Sequence, residues 1–500
     1  MPISRGAEDD GPRGQADYLN EHTRPAWSDA TSAGLAKIRV GGHFDRHFHD
    51  CNEYWFIFAG KAKVVSEGVE YYLQRGDILC TKAGDEHDTL EVYEDLEFVW
   101  FEDATLAADE RATSTRTATR RRDIRSSHRP CPLTFHRVPE SSREARRPLR
   151  IIHVGTGGMG KYWCRSVWPH VVRVGKAEVV AAVDVVPEHF VHATTHLGIP
   201  PERCYPSLAT AFSEVDADVV AVVVPPAVHE EVIGVALDHG CDVLSEKPIA
   251  DTMDACCRVA AKVEQTGRKM AVTMNHRFDQ DKQSLEAAIH GGEYGRLSYL
   301  VHRFTDNCPK FGGWGAAFRH TMADPLLIEG SVHHLDMLRA LAGSNARSVF
   351  ARTWNPPWGE YEGDTTALVS IEMENGVRAF YEGSVVSAST LNGWENDYVR
   401  AECEDGTLEL DRRRLRVLVG AGPEAPTASD IPLLPGEVWT HELLAELSCD
   451  WVSGVRDDHP TSVEDNMQAC ALLFAALESA HTGEPVDVQA FLLDHRRAAA

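Results

Sequence analysis

The stretch LRIIHVGTGGMG, residues 149–160, passes from an apolar strand into a cluster of glycines. A helical stretch, KYWCRSVW (161–168), follows directly, and a second apolar strand, AEVVAAVD (177–184), comes next. When glycines form the turn between a strand and a helix, their backbone N–H groups and the helix N-terminus can hold a pyrophosphate. This stretch therefore predicts a dinucleotide-binding site.

Each glycine has its own task in such a loop. Gly155 permits a tight turn, Gly157 lets the backbone approach the pyrophosphate, and Gly160 allows the helix to pack close to the strand. Asp184, at the end of the second strand, can accept hydrogen bonds from both hydroxyls of the adenosine ribose. The residues predicted to contact the cofactor here are Gly155, Gly157, Gly158, Met159, Gly160 and Asp184.

The residues after Asp184 decide between two cofactors. They are Val185 and Val186 rather than serine or arginine, so nothing is offered to a 2′-phosphate. NAD is therefore predicted in preference to NADP.

The composition is that of a soluble globular chain with several domains. It has 500 residues, 43% of them hydrophobic and 25% charged, and this length predicts about three domains. No window reaches 18 apolar residues, so no membrane span is expected. The first residues have no apolar core after a basic start and are predicted to form a flexible tail, so a cytoplasmic location is expected. The 12 cysteines form no C-x-x-C pair and are expected to be reduced thiols.

The charge distribution bears on the choice of partner. A formal net charge of −26 argues against nucleic acid, because phosphate binding needs a basic face. The segment 104–147 is the exception, with 11 arginines against five acidic residues. Its Ser, Thr and Pro content and weak apolar periodicity predict a linker.

The region 28–103 has the period-two pattern of short strands. KIRVGGHF, EYWFIFAGKAKVV, EYYLQRGDILCT and LEFVWFED are rich in Val, Ile, Tyr, Trp and Phe and are separated by Gly and Asp turns. A small β-barrel or sandwich is predicted. The spacing of Gly41, HFHDCNE (47–53) and Gly60, and then of Gly76, Gly84 and His87, resembles both motifs of the cupin family. Lys82 stands where the second motif usually has proline.

The cupin resemblance implies a metal site. His47 and His49 would point to the same face of a strand, and Glu53 and His87 would join them from neighbouring strands. Imidazoles with one carboxylate suit Mn, Fe, Co, Ni or Zn. A cupin that serves only for assembly or sugar sensing is the alternative.

After the glycine loop, strands alternate with helices in ADVVAVVVPP, CDVLSEKPIA and KMAVTMNHRF, which predicts a parallel doubly wound sheet. SEKPIA (245–250) and VPPAVHEE (224–231) resemble signatures of the glucose-fructose oxidoreductase, inositol dehydrogenase and MocA (Gfo/Idh/MocA) family. Beyond residue 273, LLIEGSVHHLD, GDTTALVSIEMENG and the final helix resemble its second domain. The resemblance adds Pro225, His229, Glu246 and Lys247 to the cofactor-binding residues.

The same resemblance implies a catalytic group. Lys247 matches the lysine of the family's E-K-P motif, and His333, three residues before Asp336, matches its histidine. Glu329 stands where the family usually has aspartate; on a helix it would share a face with His333 and orient the imidazole. Asn275, His276, Arg277, Trp314 and Arg319 are further residues expected near the cleft.

The predicted architecture is multidomain: a cupin-like β-barrel, an α/β Rossmann domain and an α+β domain with a large, mainly antiparallel open sheet. Its parts are a tail (1–27), the barrel (28–103), the arginine-rich linker (104–147), the nucleotide domain (148–272), the substrate domain (273–492) and a second tail (493–500).

The predicted function is NAD-dependent hydride transfer to or from a secondary alcohol of a sugar, cyclitol or related polyol, with a fused metal-binding cupin. A homo-oligomer is expected, with neither a nucleic-acid nor a membrane partner. Two alternatives stay open. The cupin could be a metal-dependent isomerase or epimerase with the dehydrogenase as its partner, or the chain could be a non-catalytic sensor of NAD and sugar.

Overall fold

The computed structural model describes residues 13–19, 32–40, 53–66, 69–81, 87–102, 147–420, 422 and 425–499. The chain divides into two compact units, Met1–Arg143 and Glu144–Ala500. The division falls inside the predicted linker.

The first unit is a six-stranded antiparallel sheet. Strand β3 shows the expected alternation, with Trp55 and Ile57 buried and Phe56 and Phe58 exposed. The sheet order is β1-β2-β6-β3-β4, and β5 also pairs with β3. The strands are β1 (Arg13–Leu19), β2 (Ser32–Ile38), β3 (Glu53–Ser66), β4 (Val69–Gln74), β5 (Ile78–Thr81) and β6 (His87–Glu102).

Strand β1 corrects the prediction of a tail at 1–27. Arg13–Leu19 pairs antiparallel with β2, which places it at one edge of the sheet. Its sequence, RGQADYL, has few apolar residues, so the hydrophobic pattern gave no sign of a strand. Its pairing depends on a partner strand farther along the chain.

The second unit begins with an all-parallel sheet, as predicted. Its order is β12-β11-β10-β7-β8-β9, so β7 has later strands on both sides and the carboxyl ends of β7, β8 and β10 border a crevice. The strands are β7 (Leu149–Val154), β8 (Ala177–Val183), β9 (Cys204–Tyr205), β10 (Val219–Val222), β11 (Asp242–Ser245) and β12 (Met270–Val272). The helices are α1 (Met159–Tyr162), which continues through a π-turn (Trp163–Val167) into α2 (Trp168–Arg173), then α3 (Phe190–Leu197), α4 (Leu208–Phe212), α5 (His229–Asp238) and α6 (Met253–Thr266).

A nine-stranded sheet follows in the same unit. Its order is β20-β19-β18-β17-β13-β16-β15-β14-β21, antiparallel except for the parallel pair β13 and β16. The strands are β13 (Leu297–Thr305), β14 (Ala346–Trp354), β15 (Thr366–Met373), β16 (Arg378–Ser384), β17 (Tyr398–Cys403), β18 (Thr407–Asp411), β19 (Arg414–Val419), β20 (Thr427–Asp430) and β21 (Val486–Asp487). The helical segments are a 3₁₀ turn (Asn275–Phe278), α7 (Gln280–His290), a 3₁₀ turn (Ala317–His320), a π-turn (Leu326–Ser331), α8 (Val332–Ala342), α9 (Thr440–Val452), α10 (Val463–Thr482) and α11 (Val488–Ala499).

Two late helices depart from the predicted boundaries. Helix α9 lies within the predicted substrate domain, yet Leu444 and Trp451 pack in one core with Ile151 and Trp168 of the nucleotide domain. Helix α11 extends to Ala499, where a tail from residue 493 was expected, and it buries Leu492. Both helices bury apolar residues against distant parts of the chain, which a local sequence pattern does not reveal.

Two expectations from composition can be compared with the described residues. The cysteines among them are all free thiols. Within the same ranges, no helix combines the length and the apolar character that crossing a membrane requires.

Candidate active site

The glycine loop lies where β7 ends and α1 begins, and two of its glycines are sterically required. Gly155 has φ +90°, and a Cβ there would lie 2.0 Å from the carbonyl oxygen of Val223. A Cβ on Gly160 would lie 1.9 Å from the carbonyl oxygen of Gly155. The loop therefore closes tightly onto β10 and the first helical turn, as expected for a backbone that must approach a ligand.

Asp184 follows β8 and is held against this loop. Its Oδ2 accepts hydrogen bonds from the Thr156 backbone N–H at 2.7 Å and from the Thr156 hydroxyl at 3.0 Å. Its Oδ1 accepts one from the Val186 N–H at 2.9 Å. Burial raises the pKa of this carboxyl, but the bonds from Val186 and Thr156 outweigh burial, so the pKa is lowered. Asp184 is thus a carboxylate fixed at the mouth of the crevice.

His189 was not predicted but belongs to the same group. Its Nδ1 lies 3.3 Å from both oxygens of Asp184, and a Cβ on Gly157 would come within 2.4 Å of the same atom. It is the last residue of a 3₁₀ turn (Pro187–His189), five residues after Asp184, and its sequence context carries no motif that marks it.

Pro225 and His229 lie where β10 leads into α5, and Glu246 directly follows β11. The two ring nitrogens of His229 face carbonyl oxygens, Nδ1 that of Pro248 at 2.9 Å and Nε2 that of Val224 at 2.8 Å. Pro225 precedes the 3₁₀ turn that leads into α5. These two contacts tie the start of α5 to the loop that carries Lys247, and the predicted contact of His229 with the cofactor stays a prediction.

Both carboxylate oxygens of Glu246 are also hydrogen-bonded within the protein. It accepts hydrogen bonds from Trp163 Nε1 at 2.9 Å and from the Thr273 hydroxyl at 2.8 Å. These bonds tie the helical run after the glycine loop to the ends of β11 and β12. They also hold the backbone next to Lys247 in place, and the predicted contact of Glu246 with the cofactor stays a prediction.

Lys247 joins the nucleotide domain to the π-turn 326–331. Its Nζ donates a hydrogen bond to the Glu329 carbonyl oxygen at 3.0 Å and lies 3.7 Å from Glu329 Oε2. Arg319 donates to the same Oε2 from Nε, at 3.0 Å. Burial raises the pKa of Glu329, but Lys247 and Arg319 outweigh burial and the pKa is lowered. A buried carboxylate thus balances two cations at the domain junction.

His333 lies at the start of α8 and is 6% exposed. Its ring stacks on His276 with centroids 4.5 Å apart and meets Trp394 edge-on at 6.3 Å. Burial lowers its pKa well below the ordinary value, and the neighbouring His276 and Lys247 lower it further. The imidazole is therefore neutral.

The predicted contact between Glu329 and His333 is not observed. Among the described residues the Glu329 carboxylate pairs with Arg319 and Lys247, and His333 Nδ1 has no hydrogen-bond partner. The prediction assumed α-helical geometry, but Glu329 belongs to a π-turn, whose i to i+5 bonds change the number of residues per turn.

The other cleft residues have mixed roles. Arg277 is a structural residue, because its guanidinium pairs with Asp336 at 2.5 Å and 2.6 Å and so anchors α8. Trp314 is buried, and the Arg319 guanidinium lies 5.2 Å from its ring centroid. His276 is the residue that stacks on His333, and Asn275 begins the same 3₁₀ turn.

The predicted metal ligands of the cupin unit are only partly described. Glu53 begins β3, opposite Thr81 and Glu102, and its side chain is 7% exposed. The backbone of His87 begins β6, but its side chain lies outside the described residues, as do His47 and His49. A buried carboxylate in an apolar core of strands is consistent with the predicted ligand set.

The parallel sheet with its glycine loop, joined to a large open sheet by a lysine and a buried histidine, defines a Rossmann-fold oxidoreductase. The sequence matches the oxidoreductase family with an NAD-binding Rossmann fold over residues 149–274 and the GFO/IDH/MocA C-terminal domain over 283–409. It matches a cupin domain over 34–102. The chain belongs to the Gfo/Idh/MocA oxidoreductase family and carries an N-terminal cupin domain.

Several known proteins are similar to this chain. An uncharacterized protein, y4oX, from Sinorhizobium fredii is 43% identical over 360 residues, which cover 70% of this chain and 99% of the relative. A D-apiose dehydrogenase from Paraburkholderia graminis is 25% identical over 320 residues, 63% of this chain and 84% of the relative. An oxidoreductase from Agrobacterium radiobacter, solved in complex with NAD+, L-tartaric acid and magnesium, has a TM-score of 0.60 at 22% identity. That match covers 68% of this chain and 99% of the other and shows a shared fold.

Proposed function

We propose that this chain oxidises or reduces a secondary alcohol of a sugar, cyclitol or related polyol, with NAD as the hydride carrier. The observation that carries the proposal is the 3.0 Å hydrogen bond from Lys247 Nζ to the Glu329 carbonyl oxygen. It joins the end of a nucleotide-domain strand to the π-turn that leads into His333. The similarity to a D-apiose dehydrogenase supports the substrate class.

The cofactor is held by the nucleotide domain in this proposal. The N–H groups after Gly155 and the start of the helical run at Met159 bind the pyrophosphate. Asp184 accepts hydrogen bonds from the ribose hydroxyls. To do so, its carboxylate gives up a hydrogen bond from a backbone N–H of the glycine loop. The bound nicotinamide supplies the hydride chemistry.

Lys247 and His333 act on the alcohol. A lysine ammonium has three N–H donors, and one of them is used by the Glu329 carbonyl oxygen, so donors are left for the reacting oxygen of the substrate. His333, a neutral imidazole, accepts the hydroxyl proton during oxidation and returns it during reduction. Arg319 and Glu329 hold Lys247 in place and exchange no proton.

The test is a panel of sugars, cyclitols and polyols assayed for NADH formation, with NAD affinity measured by calorimetry. Lys247→Ala and His333→Ala are each expected to lower turnover by roughly 10²-fold or more, with NAD affinity nearly unchanged. Lys262→Ala is the matched control, because Lys262 only pairs with exposed Asp238 at 2.7 Å. Folded Lys247 and His333 variants with full activity would refute the assignment, and NAD and sugar binding without turnover by the wild type would indicate a sensor.

We also propose that the cupin unit binds a divalent metal through His47, His49, Glu53 and His87. The match to a cupin domain over residues 34–102 and the burial of Glu53 at the start of β3 support this. Mn, Fe, Co, Ni and Zn fit three imidazoles with one carboxylate.

A further inference from the structure

A group of buried polar side chains lies behind His333 in the substrate domain. It consists of His276, Lys282, His302, His334 and Asp397, which we call the Asp397 cluster. All five side chains are 6% exposed or less. They come from the 3₁₀ turn 275–278, α7, β13, α8 and the residue before β17.

The distances from the three imidazoles of the cluster to Asp397 are too long for hydrogen bonds. His276 Nδ1 and His334 Nε2 each lie 3.9 Å from an Asp397 oxygen, and His302 Nε2 lies 3.8 Å away. Among the described residues, none of these nitrogens has a hydrogen-bond partner, and the nearest donor to Asp397 is the Lys282 ammonium, 3.0 Å from Oδ2. Because an unpartnered buried polar atom costs free energy, several of them facing one point indicate a missing central group.

The spacing suits a metal ion as that group. One ligand atom each from His276, His334 and Asp397 can be chosen so that all lie within 4.8 Å of one another. Ligand atoms about 2.0–2.2 Å from a tetrahedral ion are about 3.3–3.6 Å apart. Small side-chain rotations would therefore bring these atoms to bonding distance.

The local charge leaves room for a divalent cation. Lys282 Nζ lies 3.0 Å from Asp397, 3.3 Å from Asp279 and 3.6 Å from Asp281, so one ammonium serves three carboxylates. Lysine alone thus undercompensates the buried negative charge, and two further positive charges would balance three carboxylates.

The imidazoles are prepared as ligands. Both rings are buried, which disfavours the charged imidazolium and favours the neutral form that binds metals. His334 Nδ1 is hydrogen-bonded to the Tyr381 hydroxyl at 2.9 Å, and that hydroxyl also contacts Ser331 Oγ at 2.9 Å. If Nδ1–H is the donor to Tyr381, Nε2 keeps its lone pair for a metal, and Tyr381 fixes the ring orientation.

We propose that His276, His334 and Asp397, with His302 adjacent, form a closed site for a structural divalent metal of the Zn, Co, Ni or Fe type. The site links the 3₁₀ turn, α8 and the start of β17, and so fixes the face on which His333 stacks. It is separate from the cupin ligands and does not depend on the proposed redox activity.

The test uses the full-length chain with His47→Ala and His49→Ala, which removes two of the three predicted cupin histidine ligands. After dialysis against a chelator, this parent is titrated with Co²⁺, monitored by visible absorption and calorimetry. We expect about one bound equivalent and a higher thermal unfolding midpoint. His334→Gln or Asp397→Asn, added to the parent, should weaken Co²⁺ binding by about 10²-fold or more, and Tyr381→Phe by about 10-fold to 100-fold.

His459→Gln on the same parent is the matched control. His459 is equally buried, but it is hydrogen-bonded to Ser448 Oγ and the Thr461 N–H, away from the Asp397 cluster. The His459→Gln variant should still bind about one equivalent of Co²⁺, as tightly as the parent does. Tyr381→Phe leaves every proposed ligand in place. It therefore tests the proposal if the ligand variants do not fold.

A second readout needs no ligand variant. Pulsed electron paramagnetic resonance of Cu²⁺ on the parent should show coupling to at least two imidazoles. The proposal is overturned if the parent binds neither Co²⁺ nor Cu²⁺, if Cu²⁺ shows no imidazole coupling, or if folded His334→Gln and Asp397→Asn variants bind as tightly as the parent.

Discussion

Glu329 shows how single residues set the chemistry of this site. Its carboxylate is 5% exposed and faces two cations, Lys247 at 3.7 Å and Arg319 at 3.0 Å. The sequence identified Glu329 and Lys247 through a family motif, but it assigned Glu329 to the wrong partner. Arg319 lies ten residues before Glu329 in a 3₁₀ turn, and only the folded chain shows which carboxylate it bonds.

Glu329→Gln should lower turnover by about 10-fold, less than Lys247→Ala. The amide keeps an acceptor for Arg319 but removes the charge that balances two buried cations, and hydrogen bonds to charged groups are worth about 1.5–3 kcal/mol. Steady-state kinetics on the identified substrate checks this. Glu230→Gln, in the exposed pair with Arg258, is the control and should leave turnover unchanged. Wild-type turnover in Glu329→Gln would show that its charge has no role.

Asp184 should make the chain bind NAD at least several-fold more tightly than NADP. A carboxylate held as an anion repels a 2′-phosphate, and Val185 beside it is 85% exposed and offers no donor. Calorimetric titration of the wild type with both cofactors is the measurement. The double variant Asp184→Ser, Val185→Arg should shift the ratio toward NADP, because the exposed position gives an arginine room to reach the phosphate. Tighter NADP binding by the wild type would contradict the prediction.

At the scale of elements, the sequence predicted what local patterns encode. The strand, glycine loop and helix at 149–160 were found because the glycines and the apolar run are contiguous. The π-turns at Trp163–Val167 and Leu326–Ser331 were missed, since a π-turn has no distinct residue pattern. The Asp397 cluster was missed because its residues come from five separate segments that only the nine-stranded sheet and α8 bring together.

Gly155→Ala should be far more costly than a glycine change at an open site. The new Cβ would combine a φ of +90° with an approach of 2.0 Å to the Val223 carbonyl oxygen. Backbone strain and overpacking together should lower the free energy of unfolding by roughly 2–5 kcal/mol and abolish NAD binding. Gly198→Ala is the control: its φ is +67° but nothing lies within 4 Å, so only strain of about 1–2 kcal/mol is expected. Equal losses in thermal or denaturant unfolding would show that crowding at Gly155 is unimportant.

At the scale of the whole molecule, the order of the three domains was predictable because each carries its own periodicity. The boundaries between the domains were harder to predict. Helix α9 belongs to the substrate domain by its position in the sequence, but it packs against the nucleotide sheet. There Lys176 pairs with Asp450 at 2.7 Å. Burial of Leu444 and Trp451 fixes the position of α9 on the nucleotide domain, and the local sequence pattern of α9 does not indicate which surface covers these two residues.

The two units should be separable by function. Lys247 and His333 lie in Glu144–Ala500, whereas the predicted cupin ligands lie in Met1–Arg143. The His47→Ala, His49→Ala variant should therefore lose the metal bound by the cupin, measured by elemental analysis, while its initial rate of NADH formation stays within about twofold of the wild type.

The control for that variant is His192→Ala, His196→Ala. These two histidines stack on helix α3 of the nucleotide domain with centroids 6.4 Å apart, so the change removes as many imidazoles from a site with no predicted metal role. A ketone made by the dehydrogenase is more acidic at the adjacent C–H than the alcohol was, and a metal in the cupin could stabilise the resulting enediolate. Product analysis should then show the final product changed in the cupin variant alone. Unchanged metal content would remove the metal role of His47 and His49, and loss of NADH formation would move the primary chemistry to the cupin.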